Sequence, residues 1–357
     1  MRTTILTRAG RARAGLARAG LARAGLALAA LAGLASLGAC SSASGNEDAV
    51  KSDGSVDLSK VTLTVGDQKG GSHALLQAAG QLSKMPYKVQ WKTFTSGPPL
   101  LEALNAGAID VGGVGNTPPL FAAAANSNLT VVSGASMGAE GDTIVVPKSS
   151  KITSVSQLKG KRVAVTEGSS ANYDLLAQLA KAGLSYHDVQ VQDLQPADAL
   201  AAFSSGHVDA WAIWDPYTAQ AQLQDHAKIL ATGAGLVNGM TFEAANPDAL
   251  KDKATAAALQ DYLQRIVKAQ VWSNKHRAKW AKVWASETGL PDAVTRKAVN
   301  RRVAHPEPIT PKIVASEQKM ADAFVKAKVL PKAFDVSKYF SDRYNASVPT
   351  AATGGQS

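Results

Sequence analysis

Between residues 60 and 231, short β-rich runs alternate with helix-forming stretches, which restricts the chain to a small set of α/β architectures. The run 60–66 (KVTLTVG) alternates β-branched with other residues in the manner of a strand. Further strands are predicted over 88–95, 109–114, 129–133, 143–146, 162–166, 189–194, 209–214 and 228–231, with helices over 98–106, 170–182 and 197–205. After Pro247 the period changes. Residues 254–273 carry apolar side chains at helical spacing, and two further helical stretches fall between 291 and 330. The reading is two α/β lobes with mostly parallel sheets, one of them completed by the late helical segment. Periodicity leaves open which lobe that is.

The ends are not part of this pattern. Residues 1–39 hold six arginines, no acidic residue and an apolar run over 24–37, the layout of a secretory signal peptide. That run is shorter than the ~20 residues a membrane span needs. It ends in Leu37-Gly38-Ala39-Cys40, which resembles the lipobox of bacterial lipoproteins. On this reading 1–39 is a lipoprotein signal peptide, Cys40 is lipidated, 40–59 is a flexible tether and 346–357 a disordered tail. Cys40 is the chain's single cysteine, so an internal disulfide and a paired-thiol metal site are excluded. The net charge of +10 comes from 38 basic and 28 acidic residues; without the six leader arginines it is 32 against 28, or +4. That balance, with no basic run carrying interleaved aromatics, gives no support to nucleic-acid binding.

Four predicted strands run into a small-residue turn and then a helix start: Asp67-Gln68-Lys69-Gly70-Gly71-Ser72, Thr95-Ser96-Gly97-Pro98, Gly115-Asn116-Thr117-Pro118 and Glu167-Gly168-Ser169-Ser170. Each offers backbone N–H groups, a short polar side chain and the positive end of a helix dipole. Ligands of open α/β sheets bind at the carboxyl ends of strands. Converging on one cleft, these turns would form an anion site without a buried charge, while capping alone accounts for any one of them. In Trp211-Ala212-Ile213-Trp214-Asp215-Pro216-Tyr217, strand alternation sends Trp211 and Trp214 to opposite faces, one into the core and one toward the strand's exit. His73 follows the glycine turn and is a candidate to enter the cleft. No catalytic set is legible: the six histidines lack metal-ligand spacing, and Gly112-Gly113-Val114-Gly115 is followed by no Gly-Lys-Ser/Thr.

The run from Gly97-Pro98-Pro99-Leu100 to Pro118-Pro119-Leu120-Phe121 resembles the aliphatic sulfonate-binding proteins of ABC importers. So do Gln68-Lys69-Gly70, Leu158-Lys159-Gly160-Lys161, Gly168-Ser169-Ser170, Pro196-Ala197-Asp198-Ala199 and the Trp214-Asp215-Pro216-Tyr217 stretch. The resemblance spans about 61–336. It implies a type II periplasmic-binding-protein fold, two α/β lobes joined by two crossing segments with a ligand cleft between them. Lobe 1 would comprise 60–145 plus 240–345, and lobe 2 with its hinge segments 146–239. The crossings would fall near 142–147 and 232–240. The implied ligand-binding residues are Gln68, Ser72, Gly97, Asn116, Thr117, Gly168, Ser169, Ser170, Trp214 and Asp215, with Phe94 beside the ligand's organic tail. Relatives often carry an acidic residue where Asn116 stands. The implied function is that of an extracytoplasmic lipoprotein, a monomer held on the cell membrane through Cys40, that passes sulfonates to a permease and its ATPase. No cofactor, no metal and no catalysis are implied. Nitrate, taurine or another small organic anion stays open as the ligand. An enzyme resembling the pyrimidine synthases of thiamine biosynthesis is the reading from a different class, and it lacks the clustered cysteines of that group.

Overall fold

The computed structural model describes residues 45–348; the leader, Cys40 and residues 349–357 lie outside the described residues. The strands are β1 Thr62–Gln68, β2 Lys88–Phe94, β3 Val111–Gly115, β4 Thr130–Ser136, β5 Thr143–Val146, β6 Arg162–Val165, β7 Gln190–Asp193, β8 Ala210–Ile213, β9 Lys228–Thr232, β10 Met240–Ala245 and β11 His305–Glu307. The helices are α1 Ser72–Ala78, α2 Gly97–Asn105, α3 Pro118–Ala124, α4 Ser170–Lys181, α5 Pro196–Ser204, α6 Tyr217–Gln224, α7 Pro247–Lys251, α8 Lys253–Lys275, α9 Arg277–Thr288, α10 Asp292–Arg301 and α11 Pro311–Lys326.

Two sheets result, each the centre of an α/β lobe. The first has the order β11-β4-β10-β3-β1-β2 and the second β7-β6-β8-β5-β9. In the first, β1 pairs parallel with β2 and β3, while β10 runs antiparallel between β3 and β4. In the second, β6 pairs parallel with β7 and β8, and β5 runs antiparallel to β8 and β9. The chain leaves the first sheet after Ser136, enters the second at Thr143, and returns between Thr232 and Met240. Central strands β5 and β8 are buried at every residue, which their Val, Ile, Ala and Trp content requires of a sheet covered on both faces.

Helix ends follow from local chemistry. Ser169 caps α4 by accepting the Asn172 N–H, Asp252 caps α8 through Thr255, and Thr310 caps α11 through Ile313. Helix α8 lays Leu259, Tyr262, Leu263 and Ile266 along one stripe, and these join the core of the first lobe with Trp280, Trp284, Val294 and Ala298. The late helices thus pack on the first sheet.

Two strands and both end segments depart from the sequence reading. Strand β1 starts two residues late and ends at Gln68, because Asp57 caps a 3₁₀ turn over Leu58–Lys60 that holds the chain before it. Strand β10 is central yet was not predicted, since its carboxylate Glu243 interrupts the apolar pattern. The segment expected as a tether is docked from Asn46 onward: Ala49 is buried, Val50 bridges Val56, and the Asn46 carboxamide bonds the N–H and C=O of Thr62 and the Thr255 hydroxyl. At the other end Ser347, assigned to the tail, accepts a hydrogen bond from Gln260. No helix among the described residues is long and apolar enough to cross a membrane.

Asn46→Ala leaves both Thr62 backbone groups without their buried partner. It is expected to lower unfolding free energy by about 1–3 kcal/mol, measured by urea denaturation; a change within error would show that the strap contributes nothing.

Candidate functional site

The carboxyl ends of β1, β3, β6 and β8 open onto one cavity of about 200 Å³ between the two sheets. From the first lobe Gln68, Gly70, Ser72, Gly97 and Gly115 reach it; from the second, Ser169, Ser170, Trp214 and Asp215. Helices α8, α9 and α10 close one side with Gln270, Trp280, Trp284, Arg301 and Arg302. At Gly70 the backbone takes φ +76°, and a Cβ there would collide with the Trp284 indole nitrogen. Glycine is therefore required on both counts.

The arginines set the electrostatics. Arg301 Nε stands 3.0 Å from Asp215 Oδ2, joining α10 to the end of β8. The Arg302 guanidinium lies 5.9 and 5.7 Å from the Trp280 and Trp284 rings, which are stacked on each other at 5.4 Å. It donates no hydrogen bond to another described residue. Burial pulls its pKa down, while Asp215 and Asp142 act the other way. Burial raises Asp142 to about 6 against the hydrogen bond from Ser170 (3.1 Å) and the charge of Arg302. Burial also raises Asp215, opposed first by Arg301. Two cations and two carboxylates thus share a poorly solvated space, where burial disfavours the charged form of both carboxylates and of Arg302.

Deeper in the first lobe, burial and the nearby Asp67 raise Glu243 to about 8. Asp67, raised by burial to about 6, accepts the Ser72 and His73 N–H groups at 2.7 and 3.0 Å. Elsewhere burial brings Asp174 and Glu317 to about 8.

Seven of the residues singled out in the sequence line this cavity: Gln68, Ser72, Gly97, Ser169, Ser170, Trp214 and Asp215. Several are already engaged. Gln68 Nε2 donates to Gly113 O (2.9 Å), Ser72 Oγ to Glu243 Oε1 (3.2 Å), and Ser169 Oγ to Thr166 O (2.6 Å). Asn116, Thr117 and Gly168 are not brought to it. Asn116 donates to Asn238 at 2.7 Å and accepts from the fully buried Thr117 hydroxyl, and the Gly168 N–H donates to Asn172. These groups tie the strand end to the returning segment and close the α4 cap. His73 sits outside, between Glu287 (3.3 Å) and the Trp91 ring, and Phe94 is half-buried against the core that α2 covers. Trp211 is fully buried while Trp214 lines the cavity, as strand alternation demands.

Sequence reasoning missed Arg301, Arg302 and Glu243. A signal existed for the arginines: Val294 and Ala298 mark the buried stripe of α10, and positions seven and eight beyond Val294 are Arg301 and Arg302. Among the described residues no group of three or more His, Cys, Asp or Glu is placed to hold a metal ion.

Comparison with known proteins follows the same outline. Residues 95–264 match the family model described as NMT1/THI5 like. The aliphatic sulfonates-binding protein of Escherichia coli (strain K12) is 37% identical over 285 residues, 78% of this chain and 88% of that protein. The alkanesulfonate-binding protein SsuA from Xanthomonas axonopodis pv. citri, solved bound to MOPS, superposes with a TM-score of 0.73 at 37% identity. That alignment covers 78% of this chain and 98% of that one. The periplasmic aliphatic sulphonate binding protein SsuA from Escherichia coli superposes at 0.69 and 36% identity, over 78% and 91%.

The raised carboxylates make stability fall with pH. Glu243, Glu317 and Asp174 stay protonated when folded up to about pH 8 but ionise near pH 4 when unfolded, so their favourable contribution is complete below about pH 4 and is lost on rising through pH 8. The midpoint of thermal unfolding of the ligand-free protein is expected to be several degrees higher at pH 5.5 than at pH 9. A higher midpoint at pH 9 would contradict these protonation states.

Proposed function

This chain belongs to the family of aliphatic sulfonate-binding proteins, and we propose on that premise that it captures an organic sulfonate in the cavity between its lobes and delivers it to an ABC importer. The relatives that establish the family are binding proteins rather than enzymes. The observation that carries the reading is Arg302. A guanidinium without a hydrogen-bond acceptor among the described residues faces a cavity that also receives the first turn of α4, so a fork of charged donors and a helix dipole's positive end converge on one space. A sulfonate, ionised at every physiological pH, gains charge-assisted hydrogen bonds there from Arg302 and Ser170. Its organic part packs against Trp214 and Met240, which line the same cavity.

Delivery implies a permease and its ATPase as partners, and a place on the extracytoplasmic face of the membrane. We assign the anchor there to a lipid on Cys40, with sulfur acquisition as the physiological purpose and a monomer as the working form. The anchor reading rests on the arginine-rich leader and apolar run before the chain's single cysteine.

Thermal unfolding against alkanesulfonates, taurine, nitrate and sulfate tests the ligand class. A sulfonate at ~100 times its dissociation constant should add about 2.7 kcal/mol, a shift of several degrees, with little from nitrate or sulfate; a shift confined to inorganic anions would overturn the reading. Arg302→Gln should weaken sulfonate binding by about tenfold to a hundredfold. Intact-mass analysis of the membrane-extracted protein should find residue 40 as the first residue, carrying acyl chains, and an unlipidated Cys40 would remove the anchor.

A further inference from the structure

The strand orders put the two crossings between the lobes at one side of the sheets and a pair of hydrogen bonds at the other. The crossings run from β4 to β5 and from β9 back to β10. From β10 the first sheet continues through β3 and β1 to its edge at β2, and from β5 the second continues through β8 and β6 to its edge at β7. Each far edge thus lies about 14 Å from the crossing strands at ~4.8 Å per strand, so opening about the crossings would move these edges apart most. Thr95 and Ser96 follow directly on β2, and Gln195 comes just after β7. The hydroxyls of Thr95 and Ser96 both donate to Gln195 Oε1, at 2.8 and 2.9 Å.

These side chains forgo a nearer role. Ser96 is the N-cap residue of α2 and Gln195 that of α5, yet neither side chain caps its own helix. A serine in that position ordinarily accepts a backbone N–H of the first turn. Ser96 is buried, so its O–H needs an acceptor, and the other lobe supplies it. Thr95 and Gly97, on either side of Ser96, line the cavity, which places the bonds at its rim. The Arg301–Asp215 pair sits differently. A Cβ at Gly138, in the first crossing, would stand 3.8 Å from the Arg301 carbonyl, so that ion pair lies beside the hinge, where opening displaces it least.

We propose that Gln195 is a positioning residue for capture: by accepting from Thr95 and Ser96 it latches the two lobes over the cavity and sets how long a bound molecule is held. This rests on the capture reading above and assigns the residue that governs release. Gln195 is outside the cavity lining, so it acts through the lobes and not through the ligand. Its effect falls on departure, because the bonds to Thr95 and Ser96 exist only once the edges have met.

Stopped-flow tryptophan fluorescence with butanesulfonate reads both rates, since Trp214, Trp280 and Trp284 line the cavity. In Gln195→Leu the dissociation rate constant is expected to rise about fivefold to fiftyfold, with association within about twofold of the unaltered protein. Gln195→Glu keeps an acceptor oxygen at the same reach and should return dissociation to within about threefold. Ser96→Ala should speed dissociation in the unaltered protein and add little to Gln195→Leu, because both remove the same bond. An unchanged dissociation rate in Gln195→Leu, or full additivity of the two substitutions, overturns the latch. A second measurement needs no ligand chemistry. Thr93→Cys and Gln192→Cys in a Cys40→Ser background place spin labels at exposed positions on the two edges. Their separation is expected to lengthen in Gln195→Leu, and an identical distance distribution overturns the latch. Failure of butanesulfonate to bind would count against the sulfonate reading, with the label distances still deciding the latch.

Discussion

Arg301 and Arg302 occupy the same buried space as Asp142 and Asp215, and the rest of the site is arranged around that charge cluster. Ions removed from water are expensive unless paired. The Arg301–Asp215 contact pairs one cation across the gap between α10 and the end of β8. Arg302 has the Trp280 and Trp284 rings beside it and no acceptor among the described residues, so on the proposed reading an anion entering the cavity supplies one. Asp142 and Asp215 offset part of the arginines' positive potential, and burial, which raises both, weakens that offset. The lobes are also joined by neutral bonds, with the hydroxyls of Thr95 and Ser96 both donating to Gln195. The spacing of the two sheets and the chemistry of the cavity are therefore set by the same few residues.

Much of this was readable in the sequence because it depends on local rules. Strand alternation, the caps at Ser169 and Asp252, and the division of Trp211 from Trp214 all follow from near neighbours along the chain. The turns after β1, β2 and β6 reach the cavity because parallel strands present their carboxyl ends together. What escaped depends on distant partners. Asn116 looked like a ligand donor until Asn238, 122 positions away, claimed its amide. Glu243 looked like a break in the pattern, whereas β10 is held centrally by β3 and β4 on either side. The arginines lie in the late helical segment, where basic residues are ordinarily solvated; only the packing of α10 against α9 and α6 turns them inward. The sequence reading of a site without buried charge is thereby replaced by one that contains two arginines.

The alternative drawn from sequence is a pyrimidine-synthase-like enzyme, whereas the relatives over most of this chain's length are binding proteins. In the cavity Ser170 is held by Asp142, Ser72 by Glu243, and Ser169 by the Thr166 carbonyl. Fixed donors lining a small cavity are features of recognition, where a few placed polar groups orient the bound molecule. The organic middle of the ligand needs only apolar walls, and Trp214, Met240 and Phe242 line that space.

The most direct test of the account is the position of the ligand's sulfur. Crystals grown with an alkanesulfonate and measured at long wavelength should show an anomalous sulfur peak in the cavity, within hydrogen-bonding reach of the Arg302 guanidinium and the Ser170 hydroxyl. A peak elsewhere on the protein, with the Arg302 guanidinium left without a ligand oxygen, would contradict the central claim.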